Sequence, residues 1–273
     1  MNVKQPIGIL DSGVGGLTVV KEAMRQLPHE SLIYIGDNAR CPYGPRTNEE
    51  ILTYTTQLVD YLLKFNIKML VIACNTATAV TAKVLQERLD IPVIGVIKPG
   101  ALAANRKTVS GKVGLIATET TVRSHFYEHF LWQKNAHLEV TSLACPSFVN
   151  LVESHEYHSP LAKQVVKKQL QPMIDQQVDT LILGCTHFPI ISDIIQMTMG
   201  DGVTLIDSGK ETISEVSYIL SYENIEASNE ENDTSYQFFT TGSAQMFDEI
   251  AAEWLEKPIT TKHVSLNELE GDE

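Results

Sequence analysis

Two segments of this sequence put a thiol where thiols are reactive. Cys74-Asn75-Thr76-Ala77-Thr78 and Cys185-Thr186-His187-Phe188-Pro189 each follow an apolar run, MLVIA and LILG, and each reads as the opening of a helix. A cysteine at a helix N-terminus meets the positive end of the dipole and free N–H groups, which are expected to lower its pKa and favour thiolate. One such cysteine would ordinarily be a packing residue beside a buried strand. Two, each followed by polar residues, read instead as a pair of nucleophiles or bases. If both face one crevice, a proton can leave one face of a carbon and return on the other, which is a racemisation. The α-hydrogen of an amino acid is a very weak acid, so without pyridoxal phosphate the site needs a desolvated base and stabilisation of the developing carbanion. Asp11, Glu153 and His187 are the titratable groups available to tune the thiols.

Asp11-Ser12-Gly13-Val14-Gly15-Gly16 lies between a strand-like run and a helix-like one, where α/β folds place N–H groups that cradle anions. It is not a nucleotide loop. Thr18 stands where a dinucleotide fingerprint needs glycine, and no Gly-Lys-Ser/Thr follows. The segment is either a tight turn that needs glycine or a site with Asp11 and Ser12 turned into a crevice. Cys185 and His187 alone fall short of the three or four ligands of a zinc site, so no metal is expected. Cys41 and Cys145 precede Pro42 and Pro146 in loop-like contexts and read as structural, with Tyr43-Gly44-Pro45 a loop at the crevice mouth. His125, His129, His155 and His158 read as surface or interface residues.

The elements that must position these groups alternate. Residues 7–10, 32–35, 69–73, 92–97, 113–117, 138–143, 180–184, 203–206 and 236–241 read as strands. Residues 49–65, 77–89, 161–174, 190–199 and 246–255 read as helices, and the near-continuous apolar strands suit a parallel sheet covered on both faces. An imperfect repeat runs through them. Ile7–Ser12 matches Val113–Thr118, Cys41-Pro42 matches Cys145-Pro146 and Leu70–Cys74 matches Leu181–Cys185, at offsets of 104 to 111 residues. Three matches in one order predict two similar α/β units with a ligand between them, against the alternative of ordinary strand resemblance. The polar run Ser221–Ser235 reads as a solvated helix end and loop, and the tail NELEGDE as a solvated, frayed end.

A chain of 273 residues buries an adequate core without staples, as one large domain or two. Its formal net charge of −13 and its lack of basic clusters argue against nucleic acid as the main ligand. No apolar run reaches membrane-span length, and four dispersed cysteines make no disulfide framework. A cytoplasmic enzyme fits these features.

The segments PIGILDSGVGGLTV, GDNARCPYGPR, VIACNTAT, FVNLVES and LILGCTHFPI together resemble the cofactor-independent glutamate racemases, in that family's order and over nearly the whole chain. The resemblance implies two α/β domains, residues 1–97 plus 210–273 and residues 98–209, related by pseudo-symmetry, with glutamate at their interface. It implies no cofactor and a supply of D-glutamate for peptidoglycan. By matching position, Cys74 would act on the α-hydrogen of D-glutamate and Cys185 on that of L-glutamate. Asp11 would assist Cys74, and His187 with Glu153 would assist Cys185. Asp11, Ser12, Tyr43, Gly44, Asn75, Thr76, Thr186 and His187 resemble the family's substrate contacts, with Thr118 and Thr121 nearby. The oligomeric state stays open, a homodimer included. A thiol isomerase for aspartate, a hydantoin or maleate would share the two-cysteine layout, and a non-catalytic amino-acid-binding module would share the cleft without needing both thiols.

Overall fold

Parallel pairing dominates the chain because its strands are apolar on both sides. The computed structural model describes residues 2–154, 156–228 and 234–271. The first part runs β1 (Ile7–Asp11), α1 (Leu17–Gln26), β2 (Leu32–Gly36), α2 (Asn48–Leu63), β3 (Met69–Ile72), α3 (Asn75–Arg88) and β4 (Val93–Gly95). Next come α4 (Ile97–Lys107), β5 (Lys112–Ala117), α5 (Glu119–Ser124), α6 (Phe126–Lys134), β6 (Glu139–Ala144) and α7 (Pro146–Glu153). Then follow α8 (Pro160–Asp175), β7 (Thr180–Gly184), α9 (Ser192–Met199) and β8 (Thr204–Asp207). The chain closes with α10 (Ser208–Tyr222), β9 (Tyr236–Thr240), α11 (Ala244–Leu255), β10 (Thr261–His263) and α12 (Leu266–Glu270).

These strands form two parallel sheets, one in the order β10-β9-β2-β1-β3-β4 and one in the order β6-β5-β7-β8. The stretch β2-β1-β3-β4 of the larger sheet repeats the order of the smaller one, as the internal sequence matches predict. β9 and β10 extend the first sheet, so residues late in the chain return to it.

Side-chain alternation explains why helices cover both faces. Ile7, Ile9, Met69 and Val71 pack with Val19 and Val20 of α1, while Leu10, Ile33 and Ile72 pack with Ile51, Leu58 and Leu62 of α2. In the second sheet Val113, Leu115 and Ile182 meet Ala101, Ala104 and Leu131, and Leu181 and Leu183 meet Phe148, Val166 and Leu170. Helix starts are fixed locally: Thr47 and Glu50 form a capping box on α2, Ser159 caps α8 before Pro160, and Asp207 accepts from the Gly209 and Lys210 N–H groups at α10.

Two solvated readings are corrected. The tail contributes α12, capped by Ser265, with Leu269 buried; residues 272–273 lie outside the described residues. In the polar run, α10 ends at Tyr222, the expected helix end, but Ile225 and Ala227 of the loop are buried rather than solvated. The Ile225 carbonyl accepts from Lys68 Nζ at 2.7 Å, and the Ala227 N–H donates to Glu30 Oε1 at 2.8 Å. Lys68 and Glu30 are themselves a buried ion pair at 2.6 Å, so this segment is anchored to the first sheet; residues 229–233 lie outside the described residues. His125, His129 and His158 are exposed, as expected, and His155 lies outside the described residues.

Candidate active site

Cys74 and Cys185 end equivalent strands, β3 and β7, on the carboxyl side of the two sheets, where open α/β sheets bind ligands. Cys74 is the N-cap of α3: its Sγ accepts from the Ala77 N–H at 3.4 Å and lies 3.6 Å from Ser12 Oγ. Cys185 Sγ lies 3.7 Å from Nδ1 of His187, whose Nε2 meets Glu153 Oε1 at 2.5 Å. Unlike Cys74, Cys185 opens onto a short 3-10 turn, Phe188–Ile191, before α9 begins.

One small cavity touches both thiols. Its first wall carries Ser12, Pro42, Tyr43, Gly44, Asn75 and Thr76 beside Cys74, and its second carries Thr118, Val149, Thr186 and His187 beside Cys185. Pro42 and Val149 were not singled out from sequence, although both lie in segments that carry the resemblance. Asp11, Thr121 and Glu153 stand one step behind. Asp11 Oδ1 accepts from Thr186 Oγ1 at 3.3 Å, Thr121 Oγ1 accepts from Thr118 Oγ1 at 3.1 Å, and Glu153 holds His187. The Tyr43 hydroxyl donates to Asp37 Oδ2 at 2.5 Å, so its proton is directed away from the cavity.

The glycine-rich loop does cradle an anion, and the anion is its own aspartate. Gly13 and Gly16 N–H groups both donate to Asp11 Oδ2 at 3.0 Å. Close approach explains the glycines. A Cβ at Gly15 would stand 2.4 Å from Thr186 Oγ1 and 2.7 Å from His187 Nδ1, and one at Gly16 would stand 2.6 Å from Asp11 Cβ.

Burial reverses the expectation for Cys74. Desolvation first, then the nearby Asp11 charge, push its pKa up to about 12, outweighing the Ala77 N–H and the Ser12 hydroxyl. Cys74 therefore rests as a thiol at neutral pH. Asp11 is also raised, by desolvation, against the opposing pull of His187 and its N–H donors. For His187, burial favours the neutral ring, but the hydrogen bonds and charges of Cys185 and Glu153 prevail and hold it well above its ordinary value. The imidazole that stands against Cys185 is thereby biased toward its protonated form.

The walls are tied together. Thr76 Oγ1 meets Thr118 Oγ1 at 2.9 Å, Thr120 Oγ1 donates to the Gly44 carbonyl at 2.7 Å, and Thr18 Oγ1 donates to the Thr186 carbonyl at 3.2 Å. The cavity holds only about 20 Å³, room for a single water. A larger cavity of about 250 Å³ adjoins it, sharing Pro42, Gly44, Thr118 and Val149.

The family model for Asp/Glu/hydantoin racemases matches residues 10–216. A glutamate racemase of Carnobacterium sp. is 55% identical over 96% of this chain and 99% of its own length. A glutamate racemase isoform of Bacillus anthracis superposes with a TM-score of 0.93 at 48% identity, covering 96% of this chain and 98% of that one. The Francisella tularensis glutamate racemase, solved with D-glutamate, superposes at 0.89 and 34% identity, covering 97% of this chain and 99% of that one. With two thiols at matching strand ends and relatives that align along nearly its whole length, this chain belongs to the Asp/Glu/hydantoin racemase family, on its glutamate racemase branch.

Proposed function

We propose that this protein interconverts L- and D-glutamate by two-base proton transfer between Cys74 and Cys185, without an added cofactor. The observation that carries the reading is that both thiols line one cavity from opposite walls. In the L-to-D direction a Cys185 thiolate takes the α-proton, and the C–H electron pair passes into the α-carbon and its carboxylate. The Cys74 thiol then delivers its proton to the opposite face, leaving a Cys74 thiolate. Exchange with solvent resets both groups, and the reverse reaction exchanges their roles. Cys74 is stored in its acid form, which suits it to deliver that proton. Asp11 serves as its proton partner through the Ser12–Cys74 side of the site, and His187, held by Glu153, serves Cys185. Donors from Ser12, Asn75, Thr76, Thr118 and Thr186 hold the substrate's carboxylates.

The proposed domains are residues 1–97 with 210–273, and residues 98–209, a division that the two separate sheets support. The D-glutamate formed supplies peptidoglycan synthesis. The enzyme works in the cytoplasm, where a reducing environment keeps both thiols free.

The test is enzyme in D2O given each enantiomer. Deuterium is expected in the product early while remaining substrate stays nearly unlabelled. Cys74→Ala and Cys185→Ala, with folding verified, are each expected to lose racemisation while retaining slow α-hydrogen exchange of opposite enantiomers. Near-normal racemisation by either variant would overturn the reading. Aspartate turned over as well as glutamate would favour the aspartate alternative.

A further inference from the structure

Asn75 follows Cys74 directly and is buried, yet its carboxamide is only half used. Oδ1 accepts a hydrogen bond of 2.7 Å from the hydroxyl of Tyr127. Nδ2 has no protein partner among the described residues, and Asn75 lines the cavity that holds both thiols. The donor on the other side is fully buried and comes from α6, behind the second sheet. The Tyr127 oxygen also lies 2.7 Å from Ser208 Oγ at the start of α10, and Ser208 Oγ lies 3.2 Å from the carbonyl of Leu183, two residues before Cys185. Proton arithmetic orders this line. A carboxamide oxygen only accepts, so Tyr127 spends its single proton on Asn75, and Ser208 supplies the nearer Tyr127 oxygen. Burial keeps the phenol far above its ordinary pKa, so the donor is present at every working pH. Space for the line depends on Gly100 of α4, where a Cβ would stand 2.7 Å from Ser208 Oγ.

We propose that Tyr127 is a positioning residue for glutamate racemisation: by fixing Oδ1 of Asn75, it turns the two Nδ2 donors toward a carboxylate of the substrate. The inference rests on the glutamate reading above. Without the hydroxyl the carboxamide is free to rotate, and its oxygen then meets a carboxylate it repels. A substrate carboxylate carries its charge before the α-proton leaves, so the carboxamide already holds it in the ground state and the loss falls on binding alike for both enantiomers.

The test is a kinetic cycle on full-length enzyme with Tyr127→Phe, Asn75→Ala and the double variant, assayed from L- and from D-glutamate. Tyr127→Phe keeps the ring and removes one oxygen. Its KM is expected to rise about 10- to 100-fold for both enantiomers, the range for one hydrogen bond to a charged group, with kcat within about twofold. In the Asn75→Ala background the same substitution is expected to add nothing, because the tyrosine acts through the carboxamide. A merely structural tyrosine would lower activity equally in both backgrounds, and that result overturns the proposal, as does an unchanged KM. Should Tyr127→Phe fold poorly, Ser208→Ala repeats the cycle with a smaller KM rise expected, again only when Asn75 is present; equal effects in both backgrounds count against the proposal. If wild-type enzyme does not turn over glutamate, the glutamate reading fails. If it does and the cycle is additive, only the role of Tyr127 fails.

Discussion

At the scale of single residues, the two thiols are unequal although their strands are equivalent. Burial first, then the nearby Asp11 carboxylate, push Cys74 up to about 12, while Cys185 faces an imidazole whose pKa its hydrogen-bond partners hold well above the ordinary value. Proton removal by Cys74 therefore requires first moving its own proton, for which Asp11 is the nearby acceptor. Asp11→Asn is expected to enlarge the primary isotope effect on reaction from D-glutamate, and His187→Asn that on reaction from L-glutamate. The ratio of kcat/KM values stays fixed, because the enantiomers have equal energy. Unchanged isotope effects for both variants would remove these roles. Glu153→Gln offers a pH test whose sign is set by linkage. Glu153 raises the His187 pKa, so its removal lets the ring lose its proton at lower pH. The alkaline limb of kcat/KM is expected to move to lower pH, with some loss of stability below that limb because the raised His187 pKa contributes to folding; a limb that stays in place would detach His187 from the reaction.

At the scale of elements, the strands that lead into the site were legible because β1, β3 and β7 are apolar on both faces and end at or just before chemistry-bearing residues, Asp11, Cys74 and Cys185. The elements the sequence hid have physical reasons. α4 contains Pro99-Gly100, which reads as a break, yet Gly100 is what lets the helix approach Ser208. α10 shows a thin stripe of Ile213, Val216 and Leu220 in a polar surround, and β10 is only three residues long, two of them exposed. In the site, residues at motif positions were legible, whereas Tyr127 and Ser208 carry no local signal and reach Asn75 only through the tertiary fold. The loop after β1 could be read as a cradle or as a turn, and only packing shows its second demand. Gly15→Ala places a Cβ against Thr186 and His187 of the opposite wall, with no positive φ to forbid it. Such overpacking is expected to cost about 1–3 kcal/mol in stability. A shift of His187 of about 1 Å would lower kcat/KM about 100-fold. Gly202→Ala, which meets nothing within 4 Å, is the control. Equal activities in the two variants, read beside their denaturation midpoints, would show that the walls do not need this close approach.

At the scale of the whole molecule, the cavity between the thiols is far too small for glutamate, whose ten heavy atoms need many times its roughly 20 Å³. Even with the adjoining cavity of about 250 Å³, access to both thiols is expected to require the two walls to part, as lids and domains do in many enzymes. What must break is visible: the Thr76–Thr118 bond, the Thr120 bond to Gly44 and the Thr18 bond to Thr186. Each exchanges for a bond to water, so its net cost is on the order of 1 kcal/mol, and opening is thermally accessible. A reversible lock tests this. A Cβ at Gly44 would stand 3.3 Å from Thr118 Cβ, a few tenths of an ångström inside the spacing of about 3.5–4.5 Å found across disulfides. Gly44→Cys with Thr118→Cys should close on oxidation, with the bridge verified by peptide mapping because Cys41 lies nearby. Oxidised enzyme is expected to lose turnover of both enantiomers, and reductant should restore it to the level of the Thr118→Cys variant, which carries the same loss of hydroxyl without the lock. Full turnover by the verified disulfide form would mean that glutamate reaches the thiols without separation of the walls.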